Sequence, residues 1–113
     1  MQTVLETWQF VRSAERIFST EEREALVDFL ASNPTAGVEI VGSGGLRKVR
    51  FGLGAQGKSG GARVIHFFYS EDAPIYLIAC FSKSERENLS KAEVNELAKL
   101  TAAIKAHHRK ATP

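Results

Sequence analysis

The sequence predicts an α+β domain: N-terminal helices, then a mainly antiparallel β-sheet, then a closing C-terminal helix. Three observations carry this. Two capping boxes, Ser19 with Glu22 and Ser90 with Glu93, each stand before apolar residues at helical spacing. Between them the apolar period drops to two over "LRKVRFGL" (46–53), "ARVIHFFYS" (62–70) and "PIYLIACFS" (74–82). The 113 residues suffice for one core and contain no repeat or long linker, so residues 1–113 read as a single domain.

In order along the chain, "TVLET" (3–7) alternates weakly and reads as a first strand. Trp8, Val11, Ala14 and Ile17 recur every three residues and mark one face of a short helix. In the box at Ser19, the hydroxyl accepts from the third amide of the helix while Glu22 reaches back to the cap amide. Leu26, Phe29 and Leu30 form the apolar face of that second helix, and "NP" at 33–34 ends it. The last helix repeats the device at Ser90, with Leu89 and Val94 placed for a hydrophobic staple, and Val94, Leu97, Thr101 and Ile104 continue its stripe. The strands "ARVIHFFYS" and "PIYLIACFS" are joined by "EDA", short enough for a hairpin, and "LRKVRFGL" and "ARVIHFFYS" flank a glycine-rich loop.

With 43% hydrophobic and 25% charged residues, the composition is that of an ordinary globular protein. No apolar stretch is long enough to span a bilayer, and "MQTVLETWQF" lacks the basic start and apolar run of a signal peptide, so the expected location is the cytoplasm. The single Cys80 lies in "IYLIACF" and reads as a buried, inert thiol. Net charge is only +2, but it is unevenly spread: residues 1–41 hold three Arg against seven acids. Residues 42–70 hold Arg47, Lys48, Arg50, Lys58 and Arg63 and no acid, which points to a local anion site.

Within that basic stretch, "GLGAQGKSGG" (52–61) satisfies both G-x-x-x-x-G-K-[ST] and G-x-G-x-x-G. Either motif works by leaving a strand and entering a helix, whose N-terminal amides hold the phosphates. Here the motif leads into "GGARVIHFFYS", which is strand-like. Eight of the twenty residues from 42 to 61 are glycine, so a match costs little. The motif reads as a decoy, and no nucleotide cofactor follows from it.

The placement of the charges is more informative. On a strand over 46–53, Lys48 and Arg50 point to one face and Val49 and Phe51 to the other. By the same alternation Arg63, Ile65 and Phe67 share a face, as do Leu77, Ala79, Phe81 and Lys83. One sheet face would thus carry Lys48, Arg50, Arg63 and Lys83 beside Phe67 and Phe81, with Arg47 and Lys58 as further phosphate contacts. Cations among exposed rings suit single-stranded nucleic acid, whose phosphates pair with the charges while bases stack on the rings. The alternative is a solvated basic face with two half-buried phenylalanines.

Cleavage of RNA by its own 2′-hydroxyl needs no metal or cofactor. It needs alignment, stabilisation of charge on the phosphate oxygens, and proton transfer. Arg meets two phosphate oxygens with its planar fork, and a Lys crowded by cations has a lowered pKa. His66 falls opposite Arg63, toward the core, and reads as structural unless a bulge turns it; His107 and His108 read as a frayed terminus without metal-ligand spacing.

At "GGLRKVRF", "GGARVIHFF" and "YLIACFSKSE" the sequence resembles the RelE/ParE superfamily of type II toxins, and within it the HigB-like branch. The resemblance is specific over residues 42–85. It implies a curved antiparallel sheet, cleavage of messenger RNA in the ribosomal A site, and a cognate antitoxin carrying a helix-turn-helix domain, through which alone DNA is met. By that likeness Lys48, Arg50, Arg63 and Lys83 are the catalytic cations, with Arg63 on the transition-state phosphate, and Phe81 is a base-stacking residue. The chain departs from the related nucleases in having no Tyr after Tyr76 and Ser84 where a basic residue is common, which leaves proton transfer unassigned. The gyrase-poisoning branch shares the scaffold, so a toxin that binds without cutting and a non-toxic RNA- or partner-binding module stand as alternatives.

Overall fold

The structure, a computed structural model, describes residues 2–52 and 61–111. Strand β1 (Val4–Glu6) leads into helices α1 (Trp8–Ile17) and α2 (Thr20–Ser32). Strands β2 (Val38–Glu39), β3 (Leu46–Phe51), β4 (Ala62–Phe67) and β5 (Ile75–Ser82) follow, and helix α3 (Lys91–Ala111) closes the chain. The five strands form one sheet in the order β1-β5-β4-β3-β2. Only β1 runs parallel to its neighbour, β5; the other pairs are antiparallel. The fold is the expected α+β arrangement, with the two-residue edge strand β2 as an addition too short to leave a period in the sequence.

Both internal capping boxes form. Ser19 Oγ accepts from Glu22 N at 3.1 Å while Ser19 N donates to Glu22 at 2.8 Å. Ser90 and Glu93 exchange the same pair at 3.1 and 2.7 Å. At the head of α1, Thr7 accepts from Phe10 N and donates its hydroxyl to Leu77 O at 2.8 Å, tying that cap to β5. Arg23 grips Glu6 through two nitrogens, at 2.7 and 3.1 Å, and holds α2 to β1.

The stripe expected on α1 is offset. Phe10 and Ala14, four residues apart, are buried and Phe18 joins them just past the helix, whereas Trp8 is 80% exposed. A spacing of three drifts around the helix, so Trp8 at its start has rotated off the buried face. On α2, Leu26 and Leu30 are buried and Phe29 lies at the rim.

Two apolar clusters lie on opposite faces of the sheet. In the first, Phe10, Ala14, Phe18, Leu26 and Leu30 of the N-terminal helices meet Val49, Ala62, Val64, Leu77 and Cys80. In the second, Leu97 and Ile104 of α3 meet Leu46, Ile65, Phe67, Ile78, Ala79 and Phe81. The β4–β5 register slips by one residue: Ile65 pairs with Ala79 but His66 with Leu77, so Ile78 is an extra residue on β5. This bulge corrects the expected strand faces. Leu77 turns to the α1–α2 side, and Ile78 joins Ala79 and Phe81 under α3.

The turn at 42–45 seats α3. Gly42, Gly44 and Gly45 all have positive φ, and the buried Ser43 accepts from Leu46 N at 2.9 Å and donates to Ile40 O at 2.6 Å. Thr101 of α3 donates to Ser43 O at 2.8 Å. A Cβ on Gly44 would lie 2.7 Å from that Thr101 hydroxyl, so the approach requires glycine there as well as the φ of +79°. The far end of α3 is also held: His108 lies 2.8 Å from the Tyr76 hydroxyl and stacks on Tyr69, where a frayed terminus was expected.

Cys80 is buried as anticipated, and burial pushes its thiol up to about 12, leaving it protonated at neutral pH. Most of the glycine-rich motif, Lys58 included, lies outside the described residues. Its flanks are β3 and β4, paired antiparallel, and β4 opens at Ala62 where a phosphate-binding loop would need a helix.

Candidate active site

The antiparallel register sets Arg50 of β3 directly opposite Arg63 of β4, and Arg63 opposite Phe81 of β5. Lys48 follows on the same face, two residues from Arg50 and across from Ile65. Two arginines facing each other across a strand pair repel, so the row calls for an anion. Glu87, from the segment between β5 and α3, supplies one: Arg63 Nη2 donates to Glu87 Oε1 at 2.7 Å. Beside it Lys48 Nζ donates to Asn88 Oδ1.

The two partners in this ion pair are unequal. The Arg63 side chain is 3% exposed and that of Glu87 52%. Arg63 Nη1 is buried with no hydrogen-bond partner among the described residues, so half of the guanidinium fork is unused. The hydrogen bond from Arg63 holds the Glu87 carboxyl below its usual range, and the charges of Arg63, Lys83 and Lys48 add to the effect. Those charges place Lys83 within the same field. Lys83 itself is exposed in the turn after β5, with its backbone N–H on Gly61 O at 3.0 Å. That turn is fixed by Glu85, which accepts from Ser82 N at 3.1 Å and Ser82 Oγ at 2.9 Å.

Lys48, Arg63 and Lys83 are therefore gathered around Glu87, with Arg50 opposite Arg63 on the neighbouring strand. The aromatic half of the expected surface is corrected. Phe67 and Phe81 are 2% and 3% exposed, sealed in the cluster with Leu97 and Ile104, so neither ring offers a stacking face. Phe81 is met from outside by the Arg86 guanidinium, 4.6 Å from the ring centroid. Arg47 also departs from the basic face. It pairs with His66 on the opposite side of the sheet and donates to Gly37 O at 3.3 Å.

His66 is structural: buried, with Nε2 2.9 Å from Ala36 O. Burial lowers its pKa, the Ala36 bond opposes this, and the nearby Arg47 charge lowers it further. The bulge does not bring it to Arg63, because the extra residue is on β5 rather than β4.

Glu87 and Asn88 were absent from the residues singled out in the sequence. The available signal was the mixed run "KSEREN" (83–88), which sets acids immediately after the strand that ends in the basic cluster.

The ends of this cluster are contributed by β3, β4 and the segment after β5, and a family comparison spans all of them. The model described as the RelE toxin of the RelE / RelB toxin-antitoxin system matches residues 4–112. That match runs from the first strand through the whole of α3, and the chain belongs to the RelE toxin family.

Proposed function

We infer that the chain is a ribosome-dependent messenger-RNA endonuclease of the HigB-like branch, the toxic half of its toxin–antitoxin pair. The observation that carries this reading is the Arg50–Arg63 pair across β3 and β4, with Arg63, Lys48 and Lys83 acting on the Glu87 carboxylate. Such a cluster suits a phosphodiester whose oxygens gain charge as the neighbouring 2′-hydroxyl attacks. Arg63 holds the transition-state phosphate, Lys48 and Arg50 position the strand, and Lys83 meets an adjacent phosphate. Lys58, outside the described residues, adds a further charge in the sequence between β3 and β4. The family description points to a cognate RelB-type antitoxin as partner; the HigB-like reading adds a helix-turn-helix domain to it, through which DNA is contacted. The site of action is the translating ribosome of the cytoplasm.

The burial of both Phe67 and Phe81 favours one rival, a toxin that binds another target, such as gyrase, without cutting RNA. The test is 5′-end mapping of messenger RNA incubated with translating ribosomes and the protein. Cuts in A-site codons, lost in Arg63→Ala and reduced at least tenfold in the exposed-site variant Lys83→Ala, are expected. Intact messenger RNA with folded wild-type protein would move the function to the binder.

A further inference from the structure

We propose that Glu87 is a built-in occupant of the phosphate position: the segment joining β5 to α3 closes its carboxylate onto Arg63, and a polyanionic substrate must displace it. This deepens the nuclease reading of the site and rests on it for the identity of the substrate.

The inequality of the ion pair is the first support. A buried arginine is satisfied by a half-exposed side chain from a connecting segment, rather than by another group of the sheet. The carboxylate also bonds only Nη2 of the guanidinium, and Nη1 has no hydrogen-bond partner among the described residues. A phosphate has enough oxygens to engage both nitrogens of the fork once the segment lifts, so the substrate gains a hydrogen bond that the occupant does not make. The adjacent Asn88 covers Lys48 by the same means, so one short stretch of chain masks two cations together. The groups facing Glu87 are Arg63, Lys48 and Lys83, all cationic, and they favour any anion that takes its place.

Tethering determines what can compete. A carboxylate carried on the same chain acts at an effective concentration in the millimolar range, so a lone phosphate competes poorly. An RNA strand held at several points, as on the ribosome, competes well. The device would restrain the toxin from cutting free RNA while leaving presented RNA open to attack.

Inorganic phosphate is the probe, titrated at matched ionic strength against sodium chloride and followed by NMR of the arginine side chains. Glu87→Gln keeps the shape of the occupant and removes its charge. Its phosphate affinity should rise about three- to tenfold over wild type, the scale of losing one partly exposed ion pair. Unchanged or weaker affinity overturns the proposal. Should Glu87→Gln fail to fold, the wild-type protein decides: with phosphate bound, the Glu87 carboxyl should titrate nearer its ordinary range, and an unmoved midpoint overturns the proposal. A variant that binds phosphate like wild type but cuts far more slowly would make Glu87 a proton carrier and also overturn it. Phosphate binding is read without ribosomes. Raised affinity in Glu87→Gln beside intact messenger RNA in the cleavage assay would therefore remove the nuclease reading and leave the occupant in place.

Discussion

At the scale of single residues, His66 shows how burial assigns a role. Its Nε2–H donates to Ala36 O, which leaves Nδ1 as the unprotonated nitrogen, buried and without a partner among the described residues. Protonation would put a charge and an unmatched donor into the interior, which is why its pKa falls below the ordinary 6.5. The unfolded chain then binds the proton more readily than the folded one. Stability should be present above about pH 6.5 and decline as the pH falls through that value toward the folded pKa. Thermal melts at about pH 7.5 and about pH 5.5 should show the loss. His66→Gln, which retains a donor for Ala36 and cannot titrate, should flatten the difference. The inward orientation of His66 was legible from its alternation with Arg63. Glu87 was not, because a side chain reaching back from a turn obeys no period, and only the completed fold brings residue 87 beside residue 63.

At the scale of elements, the caps were the most legible features because each is a local chemical device read from four residues. Ser19 and Glu22 satisfy two otherwise unpaired amides at the head of α2, and Ser19→Ala should lower the unfolding free energy by about 1 kcal/mol in urea titration. The strands were legible as strands but not fully in their facing. "IYLIACF" is apolar almost throughout, so period two cannot be tracked along it, and the bulge at Ile78 left no mark. That single residue decides that Leu77 packs under the N-terminal helices. Continuous apolar runs also signal a strand covered on both sides. In "ARVIHFF" and "IYLIACF" that signal outranked the expected open face, and it is why Phe67 and Phe81 became core.

At the scale of the whole molecule, the sheet is the middle of three layers, and α3 is the layer that hides the second apolar face. Its seat is the glycine turn under Thr101. Gly44→Ala would place a methyl group against the Thr101 hydroxyl at a φ of +79°, and backbone strain of that kind costs about 1–3 kcal/mol. The variant should melt earlier and expose the α3-covered face, read as increased binding of an apolar dye under native conditions. A variant that loses stability without binding dye would mean that α3 stays docked by its other contacts, such as the Tyr76–His108 pair.

The parallel pairing of β1 with β5 also sets a schedule. Val4 finds its partner, Ile75, only after 71 further residues have been made, and at roughly 5–20 residues per second that takes about 4–14 s. Until then Thr7 has no Leu77 to bind, and α1 and α2 have no finished sheet to lie on. Arg63 is synthesised before the segment bearing Glu87 and Asn88, but β4 gains its second neighbour only when β5 arrives. The strand that gives β4 its second neighbour is thus the one that admits β1, so the sheet closes only once β5 has been made.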